Sequence, residues 1–124
     1  MRARLVRAPN PCVDQVLQVY FEPDVAELTP EGRAVIDAAA AGARACRVKA
    51  VEVLGLADAP GTPAANFDLS RRRAASVSAV LAADGLPPAK FRVGAAGATG
   101  AVAANGAAAP LRRRVDVTLR LARR

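Results

Sequence analysis

The most constraining feature of the sequence is a strand-like segment that runs into a tight turn and then into a helix-like segment. Strand-forming residues dominate from Val48 to Leu56, and apolar positions at helical spacing run from Leu69 to Ala83. Pro60 and Gly61 lie between them, and both residue types interrupt regular structure. The segment therefore predicts a strand, a polar turn, and a helix that folds back toward the end of the strand.

Two charged residues frame this turn. Asp58 follows the strand, and Arg73 lies fifteen positions later, within the helix. If the helix folds back on the strand, the two side chains meet at one mouth, where a carboxylate and a guanidinium can hold a zwitterionic ligand between them. The alternative is a buried ion pair that ties the turn to the helix and holds no ligand.

The rest of the chain supplies three further strands and one further helix. A strand-forming run covers 16–21, and Thr29 followed by Pro30 is typical of a helix start. A weaker strand is predicted over 91–97. Residues 115–121 alternate between apolar and polar side chains, as a strand with one buried face does. The order of elements is therefore β-α-β-α-β-β.

This order predicts an α+β fold in which two helices pack on one face of a mixed four-stranded sheet. Strands joined by a helix are expected to be parallel, and the last two strands, joined by a loop, are expected to be antiparallel. Residues 1–14 are predicted to form a flexible basic lead and 15–122 a single domain. The alanine- and glycine-rich residues 98–110 are predicted to be a flexible loop.

Composition excludes several kinds of function. The chain has no histidine, which removes Ser-His-Asp and Cys-His catalysis and histidine metal sites, and its two cysteines are too few for a structural zinc site. We therefore expect neither a metal nor a cofactor. The formal net charge of +7 indicates either an anionic partner or only a solvated basic surface. With 3% aromatic residues and no nucleic-acid motif, we expect no nucleic-acid partner.

A longer pattern of fixed positions surrounds the turn. It reads G-x-x-D-x-x-G-T-x-x-x-N-x-x-L-S-x-x-R-A without a gap from Gly55 to Ala74, and a second pattern, F-E-P-D-V-A-E-L-T-P-E-G, runs from Phe21 to Gly32. Together they resemble the OmpA-like C-terminal domains that bind peptidoglycan. The resemblance covers about residues 16–121 and implies the same α+β fold.

The resemblance also implies a ligand and the residues that hold it. In OmpA-like domains the residues that match Asp58 and Arg73 grip the meso-diaminopimelate of the peptidoglycan stem peptide. A carboxylate suits the ammonium of that residue, and a guanidinium suits its carboxylate. The further candidate ligand-binding residues are Phe21, Thr62, Asn66 and Leu69. Asn66 is equally well explained as a residue that pins the turn, and Leu69 as a core residue.

Binding of this kind breaks no bond, so the resemblance implies an anchor rather than an enzyme, and no catalytic residue is expected. It implies a periplasmic protein associated with the outer membrane or the cell wall, with peptidoglycan and other envelope proteins as partners. No export leader is visible in the sequence, and no apolar run reaches membrane-spanning length. The alternative is an OmpA-like fold that binds another protein or a polyanion. Three departures from the family pattern, Leu56, Ala57 and Arg112, are expected to remove polar contacts to the ligand.

The two cysteines are predicted to form a disulfide. Cys12 precedes the first predicted strand, and Cys46 precedes the second. If these strands are parallel, their starts lie at the same end of the sheet, and an oxidising periplasm allows the bond to form. The alternative is two unlinked cysteines that act as small apolar side chains.

Overall fold

A computed structural model describes residues 11–57, 61–98 and 112–124, and within them it contains four strands and two α-helices. This confirms the predicted order of elements and the α+β class, with two helices against a mixed four-stranded sheet. The first ten residues of the predicted lead and positions 99–110 of the predicted loop lie outside the described residues. In chain order the elements are β1 (Gln15–Tyr20), α1 (Pro30–Ala43), β2 (Arg47–Gly55), α2 (Pro63–Ala83), β3 (Phe91–Ala95) and β4 (Arg114–Ala122).

The sheet has the strand order β1-β4-β2-β3. β4 is antiparallel to both of its neighbours, and β2 is parallel to β3. β1 and β2 therefore run in the same direction but do not touch, because the last strand lies between them. The alternating pattern of β4 suits this central position, since Val115, Val117 and Leu119 are all 0% exposed beneath the helices.

Helix α1 begins as predicted, with one difference in its buried face. The Thr29 Oγ1 accepts a hydrogen bond from the Gly32 N–H at 2.9 Å, and Pro30 occupies the first helical position. The apolar spacing of the sequence places Val35, Ile36, Ala39 and Ala43 on one face of this helix, but Val35 is 43% exposed and lies outside the buried stripe. The buried stripe follows steps of four, four and three residues instead, through Gly32, Ile36, Ala40 and Ala43.

Helix α2 begins at Pro63, six residues before the predicted start at Leu69. Thr62 caps it, because its Oγ1 accepts a hydrogen bond from the Ala65 N–H at 3.1 Å. The Thr-Pro pair is the same start signal that opens α1. The apolar periodicity used for the prediction begins only at Leu69, which explains the late start.

The predicted disulfide is present. Cys12 and Cys46 are bonded, with their Cα atoms 5.6 Å apart, and both residues belong to the core, at 5% and 2% exposure. The bond forms although β4 separates β1 from β2, because both cysteines lie just outside their strands. The segment before β1 is thus joined directly to the start of β2.

Reducing this bond is expected to destabilise the domain by about 3–4 kcal/mol, since it closes a loop with a sequence separation of 34. Urea unfolding with and without a reductant measures the difference. A Cys12→Ala/Cys46→Ala variant provides the control, because its stability should not respond to the reductant. If unfolding of the unreduced protein exposes two titratable thiols, the bond is absent in solution.

The two helices also meet through a pair of acidic side chains. The carboxyl of Asp37 on α1 faces that of Asp84 at the end of α2, and this neighbour raises the pKa of Asp84 above its ordinary value. Within the described part of the chain, Asp37 Oδ1 and Asp84 Oδ2 are buried and lack a hydrogen-bond partner. The Asp37 Oδ1 also lies 3.5 Å from the Arg33 Nε, in an exposed ion pair on the same helix.

A raised pKa in the folded state means that folding favours the protonated form of Asp84. Its contribution to stability is therefore complete below the ordinary carboxyl pKa and is lost as the pH rises through the raised value. We expect Asp84→Asn to be at least as stable as the natural chain at neutral pH and to lose this advantage on acidification. Thermal unfolding midpoints measured across that pH range test this expectation. If the midpoints of the two proteins depend on pH in the same way, the expectation is wrong. Adding Asp37→Asn to the Asp84→Asn variant should not change the pH dependence of its unfolding midpoint any further.

Neither α1 nor α2 combines the length and the continuous apolar character that a helix needs to cross a bilayer.

Candidate ligand-binding site

A cavity of about 450 Å³ lies between the first turns of α2 and the segment that follows β3. It adjoins the end of β2, because the Ala96 N–H donates to the Gly55 carbonyl at 2.9 Å. The size suits part of a peptide or sugar chain. The cavity is lined by Gly61, Pro63, Asn66, Phe67, Ala96, Gly97 and Ala98.

The Ser70 hydroxyl holds the two walls of this cavity together. Its Oγ donates to the Phe67 carbonyl at 2.8 Å and accepts from the Gly97 N–H at 2.9 Å, and Ser70 is 0% exposed. Gly97 has a φ of +56°, and a Cβ there would lie 3.1 Å from the Phe67 main chain. The close approach of the two walls therefore requires both the hydroxyl and the glycine.

Asp58 lies outside the described residues, so its predicted place beside Arg73 stays a prediction. The residues on either side of it adjoin the cavity. The Ala57 N–H donates to the carbonyl of Gly97 at 2.9 Å, and Gly61 lines the cavity itself.

The N-terminus of α2 forms part of the same wall. Thr62 is exposed at the cap, and the Asn66 Nδ2 donates to the Thr62 carbonyl at 3.1 Å. Asn66 is only 5% exposed, yet it lines the cavity, so it both pins the first turn and borders the site. The first turn of the helix carries no acidic side chain, so its positive dipole end is not neutralised from within the helix.

Arg73 is buried and holds three carbonyl groups. It is 1% exposed, and its guanidinium donates to the carbonyls of Glu22, Val25 and Leu56 at 3.0, 2.9 and 3.3 Å. The Phe21 ring lies beneath it, with the Arg73 Cζ 5.2 Å from the ring centroid. One side chain of α2 thus joins the β1–α1 connection to the end of β2.

The structure divides the predicted site residues into two groups. Asn66 lines the cavity, and Thr62 lies between the lining residues Gly61 and Pro63 without lining the cavity itself. Phe21 and Leu69, at 3% and 9% exposure, are buried with Arg73 and are not among the described residues that line it. Direct contact of these interior residues with a ligand remains a prediction.

The neighbouring arginines behave differently from Arg73, as the helical rotation of about 100° per residue predicts. The side chains of Arg71 and Arg72 are 61% and 52% exposed, and both pair with Asp68, at 2.8 and 2.9 Å. The hydrogen bonds from Arg71 and then Arg72 lower the pKa of Asp68 below its ordinary value.

The three departures from the family pattern lie close to the cavity wall. Leu56 and Ala57 are buried, at 4% and 0% exposure, so their side chains join the interior. Arg112 does not simply remove a polar contact, because its Nη2 lies 3.4 Å from the Gly97 carbonyl, in a long hydrogen bond. The Arg112 Nε is buried without a hydrogen-bond partner in the described part of the chain.

Phe67 is the functional candidate that the sequence interpretation missed. It lines the cavity and is 51% exposed, which is unusual for a large aromatic side chain. A signal was available in the sequence, since the helix start at Thr62-Pro63 places Phe67 off the buried stripe of α2. Aromatic residues make up only 3% of the chain, so an exposed one stands out.

Comparison with known proteins gives consistent matches at the sequence level. The sequence pattern of the OmpA family matches residues 20–114 of this chain. Outer membrane protein A of Bordetella avium is 36% identical over 100 residues, which are 78% of this chain and 52% of that protein. The chain thus spans about half the length of this relative.

Solved structures match the fold at lower identity. The OmpA-like domain of FopA1 from Francisella tularensis has a TM-score of 0.75 and 22% identity, and the match covers 94% of this chain and 80% of that one. The peptidoglycan-associated lipoprotein from Burkholderia pseudomallei has a TM-score of 0.69 and 23% identity, with 82% and 88% coverage. At these identities the likeness supports the fold alone.

Proposed function

Because the chain belongs to the OmpA family, we propose that it binds peptidoglycan noncovalently and anchors an assembly of the cell envelope to the cell wall. The observation that carries the proposal is the cavity between the start of α2 and the segment after β3, whose wall includes Gly61 and Asn66 of the family pattern. A structural neighbour is described as peptidoglycan-associated, which agrees with this function. The proposed location is the periplasm, at the outer membrane or the cell wall.

The proposed ligand is the meso-diaminopimelate residue of the stem peptide. Its side-chain end carries an ammonium and a carboxylate, and the turn offers Asp58 for the ammonium. The N-terminus of α2 and Arg73 supply positive charge for the carboxylate. The bond from Arg73 to the Leu56 carbonyl supports this pairing, because Leu56 is two residues before Asp58.

Phe67 gives the proposed site its apolar contact. Its exposed ring forms one wall of the cavity, and the aliphatic chain of diaminopimelate can pack against it. The ring adds surface contact, whereas the charged groups set the orientation of the ligand.

Co-sedimentation with purified sacculi at moderate salt tests the proposal. Asp58→Asn keeps the size of the side chain but removes its charge, and we expect binding to fall by at least about tenfold. Phe67→Ala removes an exposed ring and should weaken binding several-fold without unfolding the domain. The matched control is Arg71→Gln/Arg72→Gln, which lowers the net charge outside the cavity and should weaken binding mainly at low salt.

Two outcomes would contradict the proposal. If the natural chain washes off sacculi as the salt rises, the attraction is only that of a basic surface. If Asp58→Asn binds sacculi like the natural chain, the diaminopimelate contact is wrong. An independent check uses sacculi whose diaminopimelate ammonium groups have been blocked by chemical acetylation. If the proposal is right, the natural chain should not bind these sacculi.

A further inference from the structure

A second cavity, of about 330 Å³, lies at the opposite end of the sheet. It opens where β2 begins, beside the segment that follows α2. β2 runs from Arg47 to Gly55, so about 26 Å separates this end from the proposed peptidoglycan site. Three arginines line the cavity, and we call them the basic end: Arg44, Arg47 and Arg124.

The basic end carries three positive charges, and the Asp84 carboxyl, which interacts electrostatically with Arg44, offsets them only in part. All three arginines are exposed, and none of them forms an ion pair within the described part of the chain. Arg44 and Arg124 use main-chain carbonyls instead, at Asp84 and Arg44, at 2.6 and 3.0 Å. These bonds hold two guanidinium groups at the rim without cancelling their charge.

The form of the cavity favours a small phosphate-bearing headgroup. The other lining residues are small or apolar, and no aromatic side chain is among the described ones, so there is no platform for stacking a nucleic-acid base. A guanidinium matches the geometry of a phosphate. Apolar neighbours such as Val48 and Pro87 can contact the methylene groups next to the phosphate of a lipid headgroup.

We infer that the basic end binds the phosphate headgroups of an anionic lipid surface, so that the domain contacts a membrane at one end while the other end stays accessible. This binding does not depend on the proposed peptidoglycan site. It uses different residues, so substitutions at the basic end should abolish lipid binding and leave sacculus binding, and substitutions at the peptidoglycan site should do the reverse.

Vesicle co-sedimentation at physiological salt tests the inference. The full chain should bind phosphatidylcholine vesicles that contain phosphatidylglycerol and should not bind phosphatidylcholine alone. Arg44→Gln/Arg47→Gln/Arg124→Gln should bind the anionic vesicles on the order of 100-fold more weakly, since each arginine near such a surface contributes several-fold. At moderate salt, where general charge attraction is screened, its sacculus binding should be unchanged.

A control of equal charge separates a site from general attraction. Arg71→Gln/Arg72→Gln/Arg92→Gln also lowers the formal net charge from +7 to +4 (7 − 3), but at exposed positions away from the basic end. We expect it to bind anionic vesicles at least tenfold more tightly than the first variant. All variants keep Arg2, Arg4 and Arg7, so the first ten residues contribute equally.

Three results would overturn the inference. Equal losses in the two triple variants would show attraction by net charge alone. Failure of the natural chain to bind anionic vesicles would exclude a membrane. The natural chain could bind soluble polyphosphate, but not vesicles, with the same dependence on the three arginines. That result would identify a soluble polyanion, rather than a lipid surface, as the partner. Circular dichroism of each variant establishes that its fold is intact before binding is compared.

Discussion

Replacing Arg73 by alanine is expected to lower the free energy of unfolding by about 4–5 kcal/mol. The change removes a buried cation and leaves the carbonyls of Glu22, Val25 and Leu56 without their donor. It also leaves a void above the Phe21 ring. Urea unfolding of the natural chain and the variant measures the loss.

The neighbouring position provides the control. Arg72→Ala removes a half-exposed side chain whose partner Asp68 keeps a second arginine, so the free energy of unfolding should change far less. If Arg73→Ala and Arg72→Ala lower the free energy of unfolding by the same small amount, the buried guanidinium does not stabilise the fold.

This structural role decides how Arg73 should be tested in ligand binding. A loss of sacculus binding in Arg73→Ala cannot separate a missing ligand contact from a loosened site. Arg73→Lys retains the charge and loses the planar fork that reaches several carbonyls. Binding should therefore be compared at a temperature where unfolding curves establish that Arg73→Lys is folded.

Gly55→Ala should destabilise the domain by more than about 4 kcal/mol, although it adds a single methyl group. The new Cβ would lie 1.9 Å from the Ser70 carbonyl oxygen, and 3.0 Å is the closest approach that real Cβ atoms make. α2 and β2 must therefore move apart by about 1.1 Å (3.0 − 1.9). Because Ser70 also joins the cavity walls, sacculus binding should fall together with the unfolding midpoint.

A second glycine gives a matched control for this methyl group. Gly42 lies in α1, and a Cβ there would meet nothing within 4 Å. Gly42→Ala should stabilise the domain by about 0.5–1 kcal/mol, because alanine loses less conformational freedom in a helix. If Gly55→Ala is tolerated as well as Gly42→Ala, the close contact between β2 and α2 is absent in solution.

Local patterns predicted the elements because each element satisfies its own physical requirement. β4 alternates apolar and polar residues because one of its faces is buried, and α1 begins at Thr29-Pro30 because its first N–H groups need an acceptor. The approach of the two cysteines follows from chain direction, since two parallel strands begin at the same end of the sheet. The Thr62-Pro63 pair marks the start of α2 equally well, whereas apolar spacing alone places that start at Leu69.

The strand order and the environment of Arg73 were not predictable in this way. β4 lies between β1 and β2 because of pairing between segments about a hundred residues apart, such as Gln15 with Leu119. Likewise, helical spacing places Arg73 on the same face of α2 as Leu69 and Val77, but nothing local identifies the groups that its guanidinium meets. Its acceptors lie 17 to 51 positions away in the chain, so only the assembled fold identifies its environment.

The disulfide also determines how the domain responds to mechanical tension. Within the described residues β1 is an edge strand whose single neighbour is β4, and a force that peels an edge strand away separates its hydrogen bonds one after another. Cys12 lies before β1 and is bonded to Cys46 at the start of β2, which has a neighbour on each side. A pull on the residues that precede Cys12 therefore passes through a covalent bond into the middle of the sheet. The edge strand is bypassed, and the domain can hold tension from that direction without unzipping.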